Sequence, residues 1–154
     1  MPRIIIADDH QLLIEGLTSI LSEVKNIQLL DPVNDGRQLI SYLKSNQADI
    51  VLLDLNMPNM DGIKTLEILK NDFPKLKVIV LTNYNQPQLI EEVKKLGAKG
   101  YLLKNSPSNI LKEAIKNVSE GELYFELKTH TNSDHHPFFI YDFMKKYQLT
   151  KREL

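Results

Sequence analysis

Asp49-Ile50-Val51-Leu52-Leu53-Asp54-Leu55-Asn56-Met57-Pro58 is the stretch that decides the fold. Four aliphatic side chains run unbroken from Ile50 to Leu53 and stop at a carboxylate. A strand covered on both faces reads this way, because neither face has to meet water. The pattern recurs outward in both directions. Apolar runs occupy residues 4–7 and 27–33 on one side, and 78–81 and 101–103 on the other. Amphipathic segments at helical spacing separate them. The first carries Leu13, Leu17, Ile20, Leu21 and Val24, and the second Leu39, Ile40 and Leu43. The third carries Ile63, Leu66, Ile68 and Leu69 and ends before Pro74. The fourth carries Leu89, Ile90, Val93 and Leu96, with Gly97 placed to end it. For the fifth, Ser106 is the expected cap and Pro107 the expected first turn. It then runs through Ile110, Leu111, Ala114, Ile115 and Val118 to Gly121.

Strand followed by helix, five times over, predicts an α/β fold. Right-handed crossovers would give a doubly wound parallel sheet with helices on both faces. Ligands of such sheets bind beyond the carboxyl ends of the strands, at the switch in strand order. Those ends carry one coherent set of groups. The first strand ends in Asp8-Asp9, the third in Asp54, the fourth in Thr82 and the fifth in Lys104. Singly, each has a plain structural reading: a solvated turn, a turn cap, a helix cap, a surface lysine. Together they place three carboxylates, a hydroxyl and an ammonium on one sheet edge.

Clustered carboxylates repel one another and tend to hold their protons, and a divalent cation removes that conflict. Oxygen donors without cysteine favour Mg²⁺, which takes few protein ligands and leaves room for a phosphoryl oxygen. A carboxylate is a nucleophile toward phosphorus. Phosphoryl transfer is mainly alignment and charge neutralisation. Mg²⁺ and Lys104 would supply positive charge, and Thr82 and backbone amides hydrogen bonds.

Composition narrows the alternatives. The 154 residues suffice for one domain with a real core and a short appendage. Hydrophobic residues are 42% and charged residues 25%, ordinary values for a globular chain. A net charge of -1 does not point to general nucleic-acid binding, and the lack of cysteine excludes disulfide scaffolds and thiolate sites. The apolar run at the N-terminus stops at Asp8-Asp9, too short for a signal peptide, and no stretch is long enough to span a bilayer. The expected location is the cytoplasm, with no membrane partner.

Four segments carry a family resemblance: IIIADDH at 4–10, DIVLLDLNMPNMDG at 49–62, VIVLTNY at 78–84 and GAKGYLLKN at 97–105. In order, spacing and residue type they resemble the receiver domain of two-component response regulators, over residues 3–121. The resemblance implies a flavodoxin-like (βα)₅ fold with strand order 2-1-3-4-5. It implies that Asp54 accepts phosphate from a phosphohistidine on a sensor histidine kinase. Asp9 and Asp54 would bind Mg²⁺ directly, Asn56 through its backbone carbonyl, and Asp8 through a metal-bound water. Lys104 would pair with the phosphoryl group. Thr82 and Tyr101 would be the switch pair that reshapes the fourth-helix, fifth-strand and fifth-helix surface, with homodimerisation as a consequence. Such a domain acts on itself and is not a turnover enzyme on an external substrate.

Three departures stand out. Many receivers place proline directly after the conserved lysine; here Asn105 stands there and proline waits until Pro107, which is similar to the NarL/FixJ subfamily. Asn83 replaces the usual small residue after the conserved threonine, so it would narrow access to the phosphate or add a hydrogen bond. Tyr84 puts a bulky ring where side chains modulate hydrolysis, which predicts slow autodephosphorylation.

Residues 1–121 are thus expected to be the receiver, and 122–148 a linker with a short helix at 138–147. Residues 149–154 (LTKREL) contain the capping box Thr150-x-x-Glu153, with a helix due to begin at Lys151. They resemble the opening of a LuxR-type helix-turn-helix domain, so the expected parent is a DNA-binding transcription regulator that touches DNA only through that missing domain. His130, His135 and His136 lack the neighbours of a metal site and read as linker. Two other classes compete. An aspartyl-nucleophile phosphatase would carry a general-acid Asp two residues after Asp54, where this chain has Asn56. A pseudo-receiver would lack part of the acceptor set, which is complete here.

Overall fold

The computed structural model describes residues 1–56, 62–83 and 86–125. They form β1 (Arg3–Ala7), α1 (Gln11–Leu21), β2 (Gln28–Leu29), α2 (Gly36–Ser45), β3 (Ile50–Asp54), α3 (Gly62–Asp72), β4 (Lys77–Thr82), α4 (Pro87–Lys95), β5 (Gly100–Leu103), α5 (Ser108–Ser119) and β6 (Tyr124–Phe125). All strands are parallel, in the order β2-β1-β3-β4-β5-β6. The expected flavodoxin-like order 2-1-3-4-5 is present, with β6 added beyond β5.

Strand pleating sends alternate side chains to opposite faces, and each face has its own core. Ile4, Ile6, Ile50, Leu52, Ile79, Leu81 and Leu102 meet α1 and α5 through residues such as Leu13, Leu17, Leu111 and Ile115. Ile5, Ala7, Val51, Leu53, Val78, Val80 and Tyr101 meet α2, α3 and α4 through Leu39, Leu66, Leu69, Ile90 and Val93. Both faces of the central strands are therefore apolar, which is why their sequences run unbroken.

Three local features differ from the sequence expectation. The apolar run 27–33 yields only a two-residue β2. Pro32 has no N–H to donate and fixes its own φ, so pairing lapses and resumes as an isolated bridge, Ala7 to Val33. The fifth helix begins one residue later than expected. Pro107 is extended (φ −62°, ψ 152°) and occupies the cap position, while Ser106 is buried before it. Lastly, β6 pairs Gly100 with Tyr124 and Tyr101 with Phe125. A two-residue strand carries no readable periodicity.

Helix ends are specified locally. The Asp35 side chain accepts the Gln38 N–H at 2.8 Å and caps α2. Past α4, Gly97 adopts φ +92° while Ala98 N–H bonds Val93 O, the left-handed stop that glycine permits.

Candidate functional site

The sheet register assembles the site before any side chain is considered. Ala7 is opposite Leu53, so Asp8 follows beside Asp54; Asp54 is opposite Leu81, and Thr82 opposite Leu103. The Lys104 N–H bonds Thr82 O at 2.8 Å, carrying the alignment one residue past β5. Asp8, Asp54, Thr82 and Lys104 are all buried at this edge, with the two carboxylates 1% and the ammonium 3% exposed.

Lys104 Nζ lies 3.1 Å from Asp54 Oδ1 and 3.5 Å from Asp8 Oδ2. The backbone N–H of Asn56 donates to Asp54 Oδ1 at 3.1 Å. His10 contacts Asp8 twice: its backbone N–H donates to Oδ1 at 2.9 Å, and ring Nδ1 sits 3.1 Å from the same oxygen. The ring also lies 3.4 Å from Asp9 Oδ1. Asp9 is exposed, whereas His10 is partly covered. Among the described residues, two buried oxygens make no hydrogen bond: Asp54 Oδ2, and Asp8 Oδ2, which has only its 3.5 Å ion pair with Lys104. Buried carboxylate oxygens are ordinarily hydrogen-bonded, so these two ask for an explanation.

The electrostatics split the two buried acids. Burial raises the pKa of Asp54, and the Asp8 charge adds to it, outweighing Lys104 and the Asn56 N–H; the net direction is up. Burial also pushes Asp8 upward, but Lys104 and the hydrogen bonds from His10 reverse it, holding Asp8 below the usual carboxylate range. Lys104 loses hydration, yet its two carboxylates keep it firmly protonated, with its pKa raised. One ammonium faces two carboxylates, with a third at the rim. This is a site short of positive charge.

Residues 4–116 match the response regulator receiver domain family. The chain belongs to that family. Among receiver-containing relatives, it is 32% identical over 146 residues to the transcriptional regulatory protein DegU of Brevibacillus brevis, covering 95% of this chain and 58% of that protein. It is 33% identical over 131 residues to the oxygen regulatory protein NreC of Staphylococcus epidermidis, covering 84% and 60%. The chain thus spans less than two thirds of the length of these relatives. The isolated receiver domain of RcsB from Salmonella enterica serovar Typhimurium, solved with the phosphomimetic BeF₃⁻, superposes with a TM-score of 0.76 at 30% identity, over 80% of this chain and 92% of that one. This is the receiver domain of a two-component response regulator of the NarL/DegU type, a signalling domain rather than a turnover enzyme.

Within the receiver, the structure brings Asp8, Asp9, Asp54 and Lys104 together, with Thr82 at the adjoining strand end. The Asn56 N–H is turned toward Asp54. Asn83 is exposed immediately after Thr82. Tyr101 is fully buried, pointing into the α2–α3–α4 core, and burial raises its pKa. Tyr84 lies outside the described residues, as do the expectations for residues 126–154, including the three linker histidines. Sequence reading gave His10 no role. Its only signal was position, one residue after Asp9, where it also occupies the cap position of α1.

Proposed function

We propose that this receiver accepts a phosphoryl group on Asp54 from the phosphohistidine of a sensor histidine kinase, in a Mg²⁺-dependent reaction, and reports its state through the α4–β5–α5 surface. The observation that supports this reading most is the unpaired, buried Asp54 Oδ2 at the carboxyl edge of the sheet. Asp54 Oδ1 is already engaged by Lys104 and the Asn56 N–H, so Oδ2 is the free nucleophile. It would form the new O–P bond as the P–N bond to the donor imidazole breaks.

The donor set fits a hard divalent cation. Ligand atoms of Asp8, Asp9, His10 and Asp54 lie within 4.8 Å of one another, and two buried oxygens of the set make no hydrogen bond among the described residues. In this reading Asp9, Asp54 and the Asn56 carbonyl hold Mg²⁺, and Asp8 acts through a bound water. The ion would supply the missing positive charge and polarise the phosphoryl oxygens. Lys104 would move its ion pair from Asp54 to the phosphoryl group. The Thr82 hydroxyl would donate to a phosphoryl oxygen, and Tyr101, on the neighbouring strand, would hold the inward position that the shift of Thr82 leaves open.

The wider reading places the receiver in the cytoplasm, and no helix among the described residues is long and apolar enough to cross a membrane. Phosphorylation would promote a homodimer. The receiver would run past the expected boundary at 121 to include β6, with the rest of 122–148 as a linker and DNA contacted only by a helix-turn-helix domain opening at 149–154.

Intact mass after incubation with Mg²⁺ and a small-molecule phosphodonor tests the proposal. One added phosphoryl group is expected, absent without metal and absent in Asp54→Asn. No gain, under conditions that label a known receiver, would leave a pseudo-receiver that signals by binding alone.

A further inference from the structure

Without β6, β5 would be an edge strand, and an open edge leaves its backbone groups and the flanks of its side chains uncovered. The chain leaving α5 closes that edge. The Tyr124 N–H bonds Lys99 O at 2.9 Å, and the register sets Gly100 opposite Tyr124 and Tyr101 opposite Phe125. Successive strand residues point to opposite faces, so two residues reach both cores. Tyr124 packs on the α1–α5 side, where its hydroxyl lies 3.5 Å from a Glu113 oxygen of α5. Phe125 packs on the α2–α3–α4 side, which buries Tyr101 completely. β6 is thereby seated between α5 and α4, within the α4–β5–α5 surface.

Tyr101 is clasped there from two directions. The backbone of Gln86, at the cap of α4, is hydrogen-bonded to its hydroxyl. Phe125 stands beside it on the neighbouring strand, and Lys94 Nζ, near the other end of α4, lies 4.9 Å from the centre of the Phe125 ring. A Tyr101 ring leaving the interior across the edge of β5 would have to pass through the place that Phe125 fills. We propose that β6 is a latch on the switch: its docking holds Tyr101 inward, so that docking of β6 and phosphorylation of Asp54 favour each other. The inference rests on the reading of Thr82 and Tyr101 as the switch pair driven by a phosphoryl group on Asp54. Linkage is reciprocal, so what the latch adds to phosphoryl binding, the phosphoryl group returns to the latch. A sixth strand that merely extends the sheet would be docked equally in both states.

The test uses the 154-residue chain with Mg²⁺ and beryllofluoride as the phosphoryl mimic. Hydrogen exchange of the Tyr124 amide, followed by nuclear magnetic resonance, reports docking of β6 in the unaltered protein. Beryllofluoride is expected to slow that exchange by at least about fivefold, the lower end of ordinary coupling between sites. Apparent beryllofluoride affinity should fall by a similar factor in Phe125→Ala, with folding confirmed by circular dichroism. Leu123→Ala, which truncates a side chain 59% exposed beside β6, should leave it unchanged. Asp54→Asn should abolish binding. If Phe125→Ala does not fold, exchange in the unaltered protein decides alone. Asp54-dependent binding that leaves Tyr124 exchange unchanged or faster overturns the latch and leaves the acceptor reading standing. So does an unchanged affinity in folded Phe125→Ala, or an equal loss in Leu123→Ala. Failure of beryllofluoride to bind the unaltered protein overturns both.

Discussion

At the residue scale, the site is defined by a charge imbalance. Lys104 neutralises one of two buried carboxylates, and burial leaves Asp54 the more reluctant to ionise. Its folded-state pKa lies above the unfolded one, so ionisation of Asp54 opposes folding in the absence of metal. That penalty is absent below the unfolded carboxyl pKa of about 3.9 and fully present above the folded value. Asp54→Asn is therefore expected to stabilise the metal-free chain at pH 7, with Lys104 still paired to Asp8, and the gain should fade as pH falls toward 3.9. Urea unfolding of both proteins across this range checks it; a variant less stable than the parent at pH 7 would refute the sign. Lys104→Met acts in the opposite sense. It strands both carboxylates in the interior and is expected to cost about 3 kcal/mol at neutral pH, as broken buried pairs do. Denaturant midpoints measure that loss, and a cost near zero would mean that Lys104 is not their counter-ion. The set Asp8, Asp9, Asp54, Thr82 and Lys104 was legible because strand ends can be found by eye, and in a parallel sheet all of them fall on one edge. The orientation of His10 was not legible, because it depends on a turn geometry in which its own N–H bonds Asp8.

At the element scale, alternation of apolar runs with amphipathic segments made all five βα units readable. What escaped reading was local. Pro32 shortens β2, Pro107 defers α5, and β6 is held by pairing with β5 and by ties outside the ladder rather than by pattern. Those ties include Lys94 Nζ, 4.9 Å from the centre of the Phe125 ring. The entry to α3 shows how tightly one position is set. The Gly62 N–H bonds Leu55 O at 3.0 Å, and a Cβ on Gly62 would lie 2.8 Å from that oxygen and press on the Leu55 Cα. Leu55 directly follows Asp54, so strain here is delivered to the site. Gly62→Ala is expected to destabilise the chain by about 1–3 kcal/mol, the usual cost of overpacking. Thermal unfolding measures it, and an unchanged midpoint would show that the backbone yields freely at this point.

At the scale of the whole molecule, two cores grip a parallel sheet and leave its carboxyl edge open for chemistry. α1 and α5 hold one face; α2, α3 and α4 hold the other. The proposed output passes along the sheet from β3 through Thr82 on β4 to Tyr101 on β5, and Tyr101 is paired in turn with Phe125 of β6. The fold class and family could be reached from the sequence because the chemistry and the strand rhythm repeat in step. The partner, the metal and the acceptor role rest on the site alone, and of these the acceptor role is the most exposed to test. After phosphorylation in the presence of Mg²⁺, reduction with borohydride converts an acyl phosphate on aspartate to homoserine, and peptide mass mapping locates the change. Homoserine at position 54 alone is predicted. Homoserine at position 8 or 9, or phosphate held on a residue that borohydride does not reduce, would contradict Asp54 as the acceptor.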